Sequence, residues 1–379
     1  MDCYEMRRFP VMSMAAKKER PQVSVILPAC RAEHALKKTM DSILLQDYGE
    51  WEMIVICGPD LPAETAGFVE AQSDKEKRIR MVKDQGELGL WESLNVGMRQ
   101  ARGDYIAMIT PGSLAAGSRL RRQAAYMDKN PRLGATQTYR HSFGRKGYSI
   151  CRPPLSSEAM RTKLLFFCDI SPSTVMLRRS TVEENQLYFD PQRQCPDWEL
   201  WFRAAELTDI ETIPQALSAE YVPWEWPVVR DDARIQEEMS ELAAERLKEG
   251  IKLDLLPEKR YLLGGWINVF SSMDPLNRED ALWELNEILF EIWKANIFEQ
   301  FYDCDELARV MADKWHWSKY DRPWQGPGRN LDIGEALELP GSRYWQKDLA
   351  HLWQEECVER IRRNIYRYQF RNWPVDLRC

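Results

Sequence analysis

Three rings, Tyr221, Trp224 and Trp226, form the group in this 379-residue sequence whose types most directly suggest ligand chemistry. Such rings can stack on the apolar face of a sugar, and they can equally cover a joint between two structural units. The other reactive residue types are scattered. Cys3, Cys30, Cys57, Cys151, Cys168, Cys195, Cys304, Cys357 and Cys379 include no C-x-x-C pair, and His34, His141, His316 and His351 stand apart in sequence. They read as reduced thiols and isolated imidazoles, with no zinc-site spacing. No phosphate-loop, zincin, kinase or G-x-S-x-G pattern occurs, which points away from those enzyme classes.

The elements that would position any such chemistry are legible from periodicity. From Pro21 to about Arg140 short apolar runs alternate with helix-period segments, the pattern of β-α-β units around a mostly parallel sheet. Val23 to Leu27, Met53 to Cys57, Ile79 to Val82 and Tyr105 to Ile109 read as strands buried on both faces. Leu36, Met40, Ile43 and Leu44 mark one helix between them, and Leu90, Leu94, Met98 and Ala101 another. In such a sheet ligands bind beyond the carboxyl ends of the strands, so the segments after Leu27, Cys57, Val82 and Ile109 should converge on one crevice. From about Asp231 the pattern becomes long amphipathic segments, with Ala281, Leu285, Ile288, Leu289, Ile292 and Trp293 on one face. Leu349, Leu352, Trp353, Ile361 and Ile365 form a second such face. A Gly- and Pro-rich loop from Arg322 to Gly341 lies between these helices.

Bulk composition sets the class. With 44% hydrophobic and 29% charged residues the chain is expected to fold around a core. A net charge of -7 provides no general basic field, so a nucleic-acid partner is not expected. No apolar run approaches the ~20 residues of a membrane helix; the longest, Leu164 to Cys168, has core length. Arg7 and Arg8 lack a following apolar stretch, so a secretory signal is not expected and the cytoplasm is the expected compartment. The arginines and aromatics of the final helix, Arg360 to Arg371, suit either a solvated helix end or peripheral contact with the inner membrane face.

Ordered motifs then give a family resemblance. Pro21 to Pro28 followed by Asp41-Ser42-Ile43-Leu44-Leu45-Gln46-Asp47-Tyr48 resembles the opening of family 2 glycosyltransferases, which have the GT-A fold. Leu94-Asn95-Val96-Gly97, Ala101 to Ile106 and Asn130-Pro131-Arg132-Leu133-Gly134 are similar to the family's following stretches. Ser173 to Arg179 resembles its acceptor-side motif, and Asp197-Trp198-Glu199-Leu200-Trp201 its E-D-Y-D-L-W. The series covers roughly residues 21 to 225. It implies a flexible arm over residues 1–20, a GT-A domain over 21–228 and a helical region over 229–379.

The resemblance implies transfer of a sugar from a nucleotide-diphosphate donor to a glycan or lipid-linked acceptor, with inversion. Asp197 would be the base that deprotonates the acceptor hydroxyl. Pro28, Ala29, Cys57, Asp60 and Lys83 would meet the nucleotide sugar, together with Asn95, Thr110, Gly112 and Ser113. Trp198 and Trp224 would stand on the acceptor side. Where the family carries L-D-A-D-D, this sequence has Ile109-Thr110-Pro111-Gly112-Ser113 with no carboxylate, so no metal ligand is assigned and the family's magnesium or manganese is not expected to be held there. Two readings follow. Lys83, Arg119, Arg122 or the basic Arg140 to Arg152 segment replaces the cation as a clamp on phosphate, or the domain is a catalytically silent relative that binds or scaffolds.

Overall fold

Apolar residues buried on both faces build the first half of a nine-stranded sheet. β1 (Val23–Ala29) and β2 (Trp51–Cys57) are buried at every position, and β3 (Ile79–Lys83) and β4 (Tyr105–Met108) flank them in the order β3-β2-β1-β4, all parallel. The computed structural model describes residues 21–29, 33–59, 61–83, 89–144, 147–221, 233–264 and 275–320. Helices α1 (Glu33–Leu44), α2 (Ala63–Lys75) and α3 (Leu90–Gln100) connect these strands. Leu36, Met40 and Ile43 of α1, and Leu94 and Met98 of α3, are buried as their spacing predicts. Gly97 lets α3 lie directly on β1, since a Cβ there would fall 2.1 Å from Ile26 Cγ2.

Beyond β4 the sheet becomes mixed, although six of its nine strands still run in one direction. The next elements are β5 (Leu114–Ala115), α4 (Arg119–Lys129), β6 (Leu133–Gly144), β7 (Gly147–Cys151) and α5 (Ser157–Leu164). A 3-10 turn (Pro172–Thr174), β8 (Met176–Arg178), α6 (Arg179–Asn185), α7 (Pro196–Leu207) and β9 (Asp209–Tyr221) follow. The sheet continues from β4 through β8, β6 and β9 to β5, with β7 pairing on β6. Only β6 and β9 pair in parallel here; β8, β5 and β7 run antiparallel to their neighbours. The β6–β9 register slips past Pro214 and Gln215, where Thr138 faces Ile213 but Tyr139 faces Ala216. Proline cannot donate to the ladder, so it sits at this bulge.

Among the described residues the second unit consists of α8 (Ala233–Ile251), α9 (Pro257–Arg260), α10 (Pro275–Glu299) and α11 (Cys304–Tyr320) with a 3-10 turn (Tyr261–Leu263). The predicted face of α10, Ala281 to Trp293, is buried in their shared core. The apolar run after α5 joins the two units. Leu165, Phe166 and Phe167 are buried among Leu247, Leu285 and Leu289, and Lys163 pairs with Asp313 of α11 at 3.3 Å. No helix among the described residues is long and apolar enough to cross a membrane. The expected arm (1–20), the domain boundary at 228/229, the loop from Arg322 to Gly341 and the final amphipathic helix lie outside the described residues.

Candidate functional site

The strand register brings three of the sequence-predicted residues into one row. Ala29 faces Cys57 across β1 and β2, and Cys57 faces Lys83 across β2 and β3, at the carboxyl ends of all three strands. Pro28 occupies the preceding row, and Ile109 follows β4 with its N–H bonded to the Ile26 carbonyl. The segment that starts at Thr110 therefore emerges beside β1, as the topological argument requires. Lys83 is exposed, 3.5 Å from an equally exposed Glu70. Such a pair holds its lysine weakly and leaves it able to meet an anion. Burial pushes the Cys57 thiol up to about 11 against the pull of Lys83, so it stays protonated at neutral pH.

Thr110, Ser113 and Ser173 form a closed set of hydroxyls. Thr110 Oγ1 lies 2.8 Å from Ser173 Oγ and 3.0 Å from Ser113 Oγ, and Ser173 Oγ lies 2.9 Å from Ser113 Oγ. Thr39 of α1 fixes the turn between them. Its Oγ1 accepts from the Gly112 N–H at 3.0 Å and donates to the Ser113 carbonyl at 2.8 Å. Gly112 itself stands at φ +90°, a conformation that side chains resist. Three neutral hydroxyls that already satisfy one another are a poor match for a hard divalent cation, which takes carboxylate and water oxygens. No group of three or more His, Cys, Asp or Glu residues that could hold a metal ion occurs among the described residues. The loop does not fit the metal, so no step of chemistry is assigned to one here.

The expected base lies in the first turn of α7, where the helix dipole favours a negative charge. Asp197 is half-buried. Its carboxylate acts on two thiols: burial first, then the Asp197 charge, raises Cys168 well above the usual thiol range and raises Cys195 as well. Next to Cys168, Asp169 and Arg140 extend the polar surface. Arg140 donates to the Asp169 carbonyl at 2.7 Å and pairs with Glu220 of β9 at 3.2 Å, while the Ser171 hydroxyl donates to the other Glu220 oxygen. Ser171 Oγ in turn accepts from the Ser173 N–H at 3.3 Å. Hydrogen bonds and an ion pair thus run from the Asp169 carbonyl through Arg140, Glu220 and Ser171 to Ser173 of the hydroxyl loop, and the Asp197 charge is felt at the neighbouring Cys168. Burial alone would lower Lys163 beside it, but Asp313 and Asp169 outweigh that and hold the ammonium charged.

Several expected contacts prove to be structural instead. Arg119 is completely buried; its Nε donates to Gln123 at 2.9 Å and its Nη2 to the carbonyls of Met108 and Val175 at 3.1 and 3.0 Å. It ties the ends of β4 and the approach to β8 together and cannot reach a phosphate. Arg122 is turned toward Ser118 and Gln215. Asn95 is buried and spans Phe189 with both ends of its amide, at 2.7 and 2.9 Å. Trp198 is buried, stacks on Phe202 and donates to the Leu164 carbonyl at 2.8 Å, so its ring faces the core and not an acceptor. Asp60 and Trp224 lie outside the described residues, as does Trp226. Sequence reasoning passed over Thr39, Asp169 and Glu220, because a threonine within a helix and carboxylates far apart in sequence carry no local signal.

Residues 24–185 match the model of glycosyl transferase family 2. The chain carries a family 2 glycosyltransferase domain. It is 27% identical over 208 residues to an uncharacterized glycosyltransferase of Haemophilus influenzae, a match spanning 52% of this chain and 64% of that protein. It is 28% identical over 192 residues to the Escherichia coli UDP-Glc:alpha-D-GlcNAc-diphosphoundecaprenol beta-1,3-glucosyltransferase WfgD, spanning 50% of this chain and 72% of that one. The match thus reaches just under two thirds of the Haemophilus protein. Among solved structures, Staphylococcus aureus TarS 1-349 in complex with UDP-GlcNAc superposes with a TM-score of 0.53 over 79% of this chain and 87% of that one, at 15% identity. That likeness places the sheet of this family 2 domain in the GT-A fold.

Proposed function

We propose that the chain is an inverting glycosyltransferase that moves a sugar from a nucleotide-diphosphate donor to a lipid-linked saccharide without the acidic metal motif. The observation that carries this is the half-buried Asp197 in the first turn of α7, at the position of the base that the motif resemblance implies. The donor lies across the strand ends at Ala29, Cys57 and Lys83, and Lys83 supplies fixed positive charge toward the diphosphate. The acceptor hydroxyl attacks the anomeric carbon as that carbon's bond to the diphosphate oxygen breaks. The hydroxyl proton passes to the Asp197 carboxylate, and the nucleoside diphosphate leaves with the bonding electrons. WfgD, whose acceptor is a diphosphoundecaprenol-linked sugar, and the UDP-GlcNAc complex of TarS support this choice of partners.

Fixed dipoles take over part of the cation's work in this reading. The Thr110 hydroxyl, the half-buried member of the set, can turn its proton toward an oxyanion while the buried Ser113 and Ser173 hold it in place, and such preorganised donors are most effective where water is excluded. A competing reading, a domain that binds donor or partner without turnover, draws on the same loop, since its hydroxyls are already mutually bonded. Calorimetry with nucleoside diphosphates and their sugars, with and without manganese, followed by a transfer assay, separates the two. Binding and transfer that persist in a chelator support the proposal. Binding without release of sugar from any donor favours the silent domain, and strict dependence on manganese overturns the assignment of the loop.

A further inference from the structure

The outward face of α10 has the composition of an interface. Trp283, Glu287, Phe290, Glu291, Lys294, Ile297 and Phe298 are all exposed and recur at helical spacing, opposite the buried Leu285, Ile288, Leu289 and Ile292. A solvated helix face is ordinarily polar, yet four of these seven residues are large and apolar. Trp283 is 69% exposed, Phe290 45%, Ile297 49% and Phe298 84%. Trp283, Phe290 and Ile297 stand seven residues apart, so they line up along about 21 Å of the helix. Together they expose on the order of 500 Å² of apolar surface, in the upper part of the range for the largest patch on a soluble monomer, which is often functional.

We infer that this face pairs with the same face of a second copy of the chain, the two α10 helices running antiparallel about a two-fold axis at Phe290. The spacing is self-complementary in that direction. With Phe290 opposite its own copy, Trp283 meets Ile297 and Phe298 of the other helix. Glu287 then meets Lys294 of the other helix, and Lys294 meets Glu287. A parallel pairing would set Glu287 against Glu287 and Lys294 against Lys294, which like-charge repulsion disfavours. Lys294 rests over the Phe290 ring at 4.7 Å, and Glu287, 68% exposed, has only a long 3.9 Å ion pair with Lys259, so both charges can turn to the rim. An isologous contact of this kind closes on itself and gives a dimer rather than a filament. The glutamates at 287 and 291 weigh against an anionic membrane as the occupant, because an interfacial helix that binds such lipids carries a basic polar face. The area is at the low end for a specific interface, so the contact is of the weak, exchanging kind.

Sedimentation velocity of the full chain over about 1 to 100 µM tests this. The expected result is reversible growth from monomer to dimer and no further. Phe290→Glu should weaken association at least about tenfold by placing two carboxylates face to face at the axis. Glu287→Lys and Lys294→Glu should each weaken it, and the double charge exchange should bring it back close to the starting value. All three positions are on the surface, and unchanged circular dichroism checks that the fold survives. A chain that stays monomeric at every concentration overturns the inference. So does association indifferent to all of these variants, which would place the contact elsewhere. Binding of the chain to vesicles of anionic and zwitterionic lipid that Phe290→Glu abolishes would make the face a membrane site and likewise overturn it.

Discussion

In the sheet domain Arg119 is buried beneath hydrogen bonds to Gln123 and to the carbonyls of Met108 and Val175; in the helical unit Lys314 is buried against the carbonyl of Gly264 at 2.7 Å. Burial draws the arginine down only to about 10, where it remains a cation, and the lysine to about 7, where it is half neutral. The first region spends its buried charge on holding strand ends in place around a crevice. The second is held together chiefly by apolar packing and leaves large apolar side chains on the outer face of α10. Geometry that a ligand must find ready-made belongs to the former, and contact area belongs to the latter.

The contrast can be broken at several points. Asp197→Asn should lower kcat by ~10² to 10⁴ with the melting temperature unchanged, because it removes a proton acceptor and no packing. Unaltered turnover in a donor-to-acceptor assay would remove the base. Arg119→Ala should cost about 3 kcal/mol in urea denaturation by stripping buried carbonyls of their donor, and should lower activity with it. An active, fully stable variant would show that the strand ends do not need their tie.

Lys314→Met should act on stability alone. The native lysine gives up its proton near 7 while the unfolded chain keeps it to its ordinary value of 10.5, so the unfolded state holds more protons between those limits. Stability conferred through this group therefore rises with pH across that window, by a few kcal/mol at most. Denaturation midpoints from pH 7 to 10 should rise more steeply in the parent than in Lys314→Met; parallel curves would show that burial does not draw this lysine down. The smallest effect is expected at Lys83→Gln, where an exposed cation should raise the donor KM about tenfold with little change in kcat. A fall in kcat at constant KM would move Lys83 from donor binding to the transition state.

Much of this division is readable in the sequence, for different reasons in each region. The four parallel strands announced themselves because residues buried on both faces must be apolar throughout, as Val23 to Ala29 and Trp51 to Cys57 are. The buried face of α10 followed from helical period alone. The second half of the sheet was hidden. β6 and β9 pair across more than sixty intervening residues, and their partly exposed, polar strands carry no strong period. At the site, the strand ends were placed correctly by topology. The roles of Asn95, Trp198 and Arg119 were not, because sequence marks a residue as special without saying whether it touches a ligand or the core. The Arg140, Asp169 and Glu220 cluster was beyond reach, since its members come from three segments that only the fold brings together.

Gly112 sets a direction on how this loop can change. A Cβ added there would meet only Ala35 at 3.8 Å, so room is not the obstacle; the backbone at φ +90° is. An aspartate introduced at this position would have to adopt a conformation that costs on the order of 1 to 3 kcal/mol, or force the turn away from Thr39 and Ser113. A substitution at Gly112 alone therefore cannot supply a relaxed carboxylate at the mouth of the crevice. At this point of the loop the backbone, and not the space around it, decides which side chains the turn accepts.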